Sequence, residues 1–199
     1  MTGSDAVDAP AEAVVPEGHW VIDADHSSVN FIVEHLGITR LRGRFMDLLG
    51  RVESASGVLR GEASVATASV STGSEIRDRH LQGPDFLNAE QHPRIVFALR
   101  GVHRDAGALV VDGALTLNGV TRPVALAATV GGAAKDPYGH DHVGLQLDGE
   151  IRRGDFGITF DPSGALVGES IALEIDLSLV REPDYLVDAR ARGEAPSAA

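Results

Sequence analysis

Strict alternation of apolar and polar residues is the feature that most constrains the fold of this chain. In 171–179, "IALEIDLSL", every second residue is Ile or Leu, and Glu174, Asp176 and Ser178 stand between them. Successive side chains of a β-strand point to opposite faces, so this segment predicts a strand with one buried and one solvated face. The same period of two runs through 29–33, 109–117 and 143–151.

Turn signals separate these alternating segments. Strands are expected near residues 20–24, 28–36, 43–54, 62–70, 94–102, 108–117, 120–131, 142–152 and 169–181. Asn118-Gly119 lies between two of them, and both residue types accept the positive φ that a two-residue hairpin requires. Strands joined by such short turns are antiparallel neighbours. The pattern therefore predicts an all-β, up-and-down antiparallel barrel.

One stretch after Ser71 breaks the alternation. "STGSEIRDRHLQ" (71–82) has a Ser/Thr cap region followed by a helix-compatible run. "PDFLNAEQHP" (84–93) begins with Pro84, a favoured first-turn residue, and ends before Pro93. One or two short helices are expected here, as an insert between strands that caps the barrel.

The residues alone leave the barrel interior open to two interpretations. An eight-stranded barrel is wide enough to hold one elongated ligand, or its side chains can fill it completely. Many inward positions are Val, Leu, Ile, Ala or Gly, which are compatible with either.

Length and composition limit the organisation and the partners. The 199 residues suit one domain with tails, predicted as a disordered N-terminal tail (1–18), a barrel (19–182) and a flexible C-terminal tail (183–199). A formal charge of −12 argues against nucleic acid as a partner, because phosphates would be repelled. No signal peptide or run of ~18 apolar residues is recognisable, so a cytoplasmic protein without stable membrane insertion is expected.

Two polar clusters are candidates for chemistry. Two His residues in "GHDH" (139–142) lack a third ligand at a set spacing, which favours a solvated loop over a metal site. Asp78 and His80 resemble the base half of a nucleophilic triad, but there is no Cys and no G-x-S-x-G elbow to supply the nucleophile. We therefore interpret 77–97 as a polar clasp that anchors the insert rather than as an active site.

Two further residues on or near strands are polar in an apolar context. Arg153 flanks a turn at Gly154, and we expect it to form a buried salt bridge with Asp78 or Asp85. His35 is two residues after Val33, so both side chains lie on the same face of the strand. His35 should therefore point into the barrel or plug its end. A lone His on an apolar face is more often a hydrogen-bonded core residue than a ligand contact.

Five segments together resemble the YceI-like family of polyisoprenoid-binding proteins. They are "WVIDADHSSVNFIVEHLGI", "GRFMDLLG", "STGSEIRDRHLQGPDFLNAEQHPRIVF", "GALTLNGVTRPV" and "IRRGDFGI", and the likeness runs from about Trp20 to Val180. The resemblance implies an extended, eight-stranded, lipocalin-like antiparallel barrel with a helical insert. It also implies that a long isoprenoid chain, such as the tail of a quinone, is held in an apolar tunnel.

The expected ligand-binding residues follow from the alternation together with this resemblance. Apolar side chains should line the tunnel, His35 and His80 should contact a polar headgroup, and the helical insert should act as a lid. The set is Phe31, Val33, His35, Phe45, Leu48, His80, Leu81, Phe86, Phe97, Leu115, Leu117, Leu126, Leu145, Phe156 and Ile158.

The expected activity is non-enzymatic binding, transport or storage of one elongated apolar lipid, with no cofactor other than that lipid. Two alternatives stay open at this point. One is a lipocalin-like enzyme that uses Asp78 and His80, and the other is a filled structural barrel that mediates protein contacts. Homodimerisation through exposed strand faces is a further expectation.

Overall fold

The computed structural model describes residues 14–161 and 163–182, and most of both predicted tails, 1–13 and 183–199, lies outside them. Within these ranges, the α-helix α1 spans Glu75–Gln82. No helix in the described ranges is long and apolar enough to cross a bilayer. The strands are β1 (Gly18–Ile22), β2 (Ser28–His35), β3 (Thr39–Phe45), β4 (Leu48–Ala55), β5 (Val58–Ala66), β6 (Val70–Ser71), β7 (Arg94–Asp105), β8 (Ala108–Leu117), β9 (Val120–Lys135), β10 (Asp141–Arg152) and β11 (Val167–Arg181).

These strands form the eight staves of a closed antiparallel barrel. β1 and β2 make one stave, because both pair with β11 on one side and with β4 and β3 on the other. In the same way β3 and β4 make a second stave, and β5 and β6 a third. Strands β7 to β11 are the other five, and the pairing of β1 with β11 closes the ring. The predicted eight-stranded barrel is confirmed, with the nine predicted segments arranged in eight staves.

Two of the interrupted staves bend at short polar turns. Between β1 and β2, a 3-10 turn at Ala24–His26 breaks the strand. β11 stays bonded across this break, since Asp23 N donates to Ser178 O at 2.8 Å and Ser178 N donates to Ser27 Oγ at 2.9 Å. The predicted strand 43–54 is likewise split at Met46, where the Ser69 hydroxyl accepts from two successive backbone N–H groups.

The turn between β8 and β9 and the helical insert follow local sequence chemistry. Asn118 and Gly119 have φ of 50° and 74°, which confirms the predicted hairpin. In the insert, the Asp78 carboxylate accepts from Thr72 N at 2.9 Å and fixes the start of α1. Residues 84–93 form turns rather than a second helix, because Asn88 adopts a left-handed conformation with φ of 48°.

The packed chain begins earlier than the predicted tail boundary at residue 18. Val14 and Val15 are 5% and 1% exposed and belong to the core cluster around Trp20 and Leu179. Two adjacent Val residues supply enough apolar surface to favour burial, although they stand in an Ala-, Pro- and Glu-rich context.

The predicted salt bridge of Arg153 with Asp78 or Asp85 is wrong. Arg153 is 2% exposed, and its nearest carboxylate oxygen is Glu169 Oε2 at 3.6 Å. Its guanidinium instead donates to backbone carbonyls of the segment that joins β10 to β11 and of the start of β11, namely those of Ile158, Phe160, Asp161, Val167 and Gly168. A planar fork with five N–H groups can satisfy that many acceptors, so the residue organises a loop rather than docking the insert.

Glycines on neighbouring strands receive two aromatic rings that face the interior. A Cβ at Gly43 would clash with the Phe31 ring, and a Cβ at Gly113 would clash with the Phe97 ring. Both rings therefore lie flat against the barrel wall. Because glycine has no side chain, the rings fit against these two positions and do not project into the space at the centre.

We expect Arg153→Ala to lower the free energy of unfolding by about 3 kcal/mol or more, because several partly buried carbonyls lose their donor. The matched control is Arg152→Ala, since Arg152 is 66% exposed and its contact to Glu169 is 3.9 Å. The control should change stability by less than about 0.5 kcal/mol. Urea unfolding of both variants measures this, and equal losses would contradict the assigned role of Arg153.

We expect Gly113→Ala to lower the free energy of unfolding by roughly 1–3 kcal/mol, because the new methyl group forces the Phe97 ring off the wall. Gly101→Ala is the control, since a Cβ at that strand position meets nothing within 4 Å. Urea unfolding compares the two. A stability loss in Gly101→Ala that matched that in Gly113→Ala would trace the effect to the strand backbone and contradict ring displacement.

Candidate functional site

An elongated apolar cavity of about 260 Å³ runs along the inside of the barrel. At one end it is lined by Leu81, Phe86 and Leu87 of the helical insert. At the other end it reaches Val14 and Val15. We call this space the tunnel. It decides between the two interpretations that the sequence left open, because a completely filled barrel would have no such space.

The alternating pattern of the strands produces the apolar lining. On β11 the tunnel is lined by every second residue, Ile171, Leu173, Ile175, Leu177 and Leu179. Their neighbours Glu174 and Asp176 are exposed on the outer face. A strand in a closed barrel has one face inside and one outside, so the period of two places one complete apolar row in the tunnel.

The structure brings twelve of the fifteen predicted ligand-binding residues to the tunnel lining; ligand contact itself stays a prediction. The twelve are Phe31, Val33, Phe45, Leu48, Leu81, Phe86, Phe97, Leu115, Leu117, Leu126, Leu145 and Ile158.

His35, His80 and Phe156 do not contribute to the lining. His35 stands at the last position of β2, opposite Val167, where the tunnel wall ends. Phe156 is 1% exposed and lies in a 3-10 turn, where the strand parity used to predict it no longer applies. It packs beneath the insert against Phe86 and Leu117, so it supports the tunnel end rather than lining it.

Sequence reasoning missed several lining residues that carried the same signal as those it found. The inward row of β11 was recognised as a buried face but was not assigned to the site. Ile22 and Val29 were passed over in the same way, although both line the tunnel. Val14 and Val15 were missed because they precede the first alternating segment.

Polar groups near the tunnel are engaged elsewhere. Besides apolar residues and a glycine, the lining includes Glu62, Ser64 and Arg153. Glu62 is exposed, the Ser64 hydroxyl accepts from Arg94 Nε at 2.9 Å, and Arg153 serves the carbonyls described above. In the described part of the chain, the interior thus presents a nearly continuous hydrocarbon surface that excludes water but has little means to stabilise developing charge.

His80 lies at the insert end of the tunnel, outside its lining. Its side chain is 50% exposed, and its ring packs edge-on against Phe86 and Phe160 at centroid distances of 5.0 and 5.3 Å. Its Nε2 is 3.4 Å from Asp85 Oδ2. Phe86 and Phe160 are themselves 4.8 Å apart, so an aromatic group closes this end.

The hypothetical pair of Asp78 and His80 is not formed. Asp78 accepts hydrogen bonds from the backbone and the hydroxyl of Thr72, whereas His80 contacts Asp85. Residues two apart on an α-helix point to different sides, which explains the separation.

Carboxylates and imidazoles with shifted pKa values lie away from the tunnel lining. The Asp23 carboxylate, 2.6 Å from the His26 ring, raises the pKa of His26. The Ser163 hydroxyl and then two backbone N–H groups lower the pKa of Asp161. Both groups are in turns, where they stabilise the local backbone.

The loop around "GHDH", which the sequence predicts to be solvated, is held by specific polar contacts. His140 Nδ1 and His142 Nε2 lie 3.1 and 3.5 Å from the carboxylate of Asp136. Loss of hydration acts to raise the pKa of Asp136, but the backbone N–H groups of His140 and Tyr138 outweigh it and lower that pKa. Within 14–161 and 163–182, no group of three or more His, Cys, Asp or Glu is arranged to hold a metal ion.

Known proteins are similar to this chain in both sequence and fold. The YceI-like domain model matches residues 20–179. Protein YceI of Escherichia coli O157:H7 is 37% identical over 142 residues, which cover 70% of this chain and 74% of that protein.

Solved structures agree with this match. The YceI protein of Campylobacter jejuni has a TM-score of 0.67 and 28% identity, over 75% of this chain and 90% of that one. A domain from Saccharophagus degradans, described as a polyisoprenoid binding domain, has a TM-score of 0.61 over 81% of this chain and 98% of that one. It is only 16% identical, so this second likeness concerns the fold alone. The family match, the related sequences and the closed barrel lead to one conclusion: this chain belongs to the YceI-like family.

Proposed function

We propose that this protein binds and carries one elongated apolar lipid, an isoprenoid or the tail of an isoprenoid quinone, without catalysing a reaction. The observation that carries the proposal is the tunnel, which is long, closed around its circumference and lined almost wholly by hydrocarbon. The domain of S. degradans supports it at the level of the fold, as an example of this barrel that is described as a polyisoprenoid binding domain.

The driving force would be the removal of apolar surface from water. Each buried methylene contributes about 0.8 kcal/mol, whereas association costs roughly 4–15 kcal/mol in lost freedom. One five-carbon unit therefore gives little net affinity, and several units must be enclosed together. A tunnel that extends from the insert to Val14 suits such a chain better than a compact ligand.

The geometry offers less support for the two alternatives. An enzyme that uses Asp78 and His80 needs these groups to act on one substrate atom, but they bond to different partners outside the tunnel lining. A filled structural barrel is hard to reconcile with the tunnel. Of the two predicted His residues, we assign contact with a polar headgroup to His80, which is half-exposed at the insert end.

The direct test is native mass spectrometry of freshly purified protein, followed by solvent extraction and analysis of any bound lipid. We expect a mass adduct that resolves into a prenyl chain, or uptake of added geranylgeraniol by the lipid-free protein. A clean mass that stays unchanged with added geranylgeraniol would contradict the proposal.

A pair of variants on β9 tests where the lipid binds. Ala128 lines the tunnel, whereas its neighbour Ala127 is exposed on the outer face. In Ala128→Trp the indole would displace roughly four ligand methylenes, which amounts to about 3 kcal/mol, or ~10²-fold weaker binding of geranylgeraniol. Ala127→Trp should bind as the wild type does. Similar titrations for the two variants would place the lipid outside the tunnel.

A further inference from the structure

The tunnel end opposite the insert is closed by the short segment 14–17, which we call the stopper. Val14 and Val15 both line the tunnel and are 5% and 1% exposed. They pack with core residues that include Leu59 and Leu179. Their side chains thus form the floor against which the tip of a bound chain would stop.

Specific hydrogen bonds hold the stopper to the barrel wall. The Ser54 hydroxyl, on β4, donates to Val15 O at 3.0 Å, and Ser54 is itself 2% exposed. The indole N–H of Trp20, on β1, donates to Pro16 O at 2.9 Å. A buried hydroxyl committed to one backbone carbonyl fixes the position of that carbonyl, and with it the depth of Val15.

Glu17 ties the stopper to two more elements. Its carboxylate accepts from Ser56 N at 3.0 Å, in the turn between β4 and β5. Its carbonyl accepts from Arg181 at 3.1 Å, at the end of β11, and the Arg181 guanidinium lies 4.7 Å above the Trp20 ring. The floor is therefore bonded to β1, β4, the β4–β5 turn and β11, including both strands that close the barrel.

The two ends of the tunnel differ in how firmly they are closed. At the insert end, α1 has no buried residue, and of the three insert residues that line the tunnel only Phe86 is buried. Few buried contacts make a segment easier to open locally. A chain that enters past the insert would advance until it meets the stopper.

We infer that Val14 and Val15 form the blind end of the tunnel and set the length of the apolar chain that the protein accepts. The inference rests on the proposed function and adds the residues that determine specificity. Affinity should rise by roughly four-fold for each methylene that finds a place in the tunnel. It should stop rising at the homologue whose tip reaches the stopper, which we call the length limit.

The experiment measures dissociation constants for a series of all-trans prenyl alcohols that differ by one isoprene unit, beginning with farnesol. Val14→Ala/Val15→Ala removes nearly as many carbon atoms as one isoprene unit contains. We expect its length limit to move to a longer homologue, with a gain of roughly ten-fold or more for the first alcohol beyond the wild-type limit. Val15→Leu raises the floor and should shorten the limit.

The matched control is Val58→Ala, because Val58 is a Val at the same end of the barrel but is 51% exposed and outside the tunnel lining. Its length limit should equal that of the wild type. Thermal unfolding establishes that each variant is folded, and Val15→Leu provides the test on its own where the double variant does not fold.

The outcomes separate the inference from the proposed function. A limit that moves in opposite directions in the two stopper variants, and not in Val58→Ala, supports the inference. One common limit for all four proteins overturns it and leaves the carrier function standing. Failure of the wild type to bind any of these alcohols overturns the carrier function, and the inference with it.

Discussion

Everything in this structure depends on the pairing of β11 with two strands at once. Its last residues pair with β1, and residues 167 and 171–176 pair with β2, while residues 170–180 pair with β10 on the other side. Asp23 and Ser27 continue the bonding across the break between β1 and β2. This closure removes the free sheet edges and fixes the number of staves at eight, which in turn fixes the width of the interior.

The width of the barrel alone does not decide whether its interior is empty or filled. That depends on which side chains face the interior. Aromatic rings that projected to the barrel axis would fill the interior, as in small filled barrels. Here Phe31 and Phe97 lie against Gly43 and Gly113, so they add apolar surface without crossing the space. The rest of the lining is mostly aliphatic, and the one buried guanidinium, among the described residues, is fully occupied by carbonyls. Closure and packing together produce a space that favours an apolar chain over water.

Strand parity explains which parts of this arrangement could be predicted from the sequence. The alternation in 171–179 gives both the strand and its inner face, and eleven predicted residues on strands or in the insert reach the lining, together with Ile158 in the connection between β10 and β11. The alternating pattern gives no guide outside the strands. Phe156 stands in a 3-10 turn, and the partners of Arg153 are backbone carbonyls that no side-chain pattern identifies. Val14 was missed because its burial depends on a long-range contact with a barrel end that is not encoded locally.

The separation of polar and apolar groups also bears on the kind of chemistry that the interior can support. Acid–base chemistry needs titratable groups that converge on one atom, but here the imidazoles and the carboxylates with shifted pKa values stabilise turns and loop ends. Asp23 with His26, and Asp136 with His140, each make local contacts in the connections between strands. The interior retains what binding by solvent exclusion requires, which is length and hydrocarbon. For the proposed lipid, which has no polar groups along its chain, selectivity would come from the width of the tunnel and from where it begins and ends.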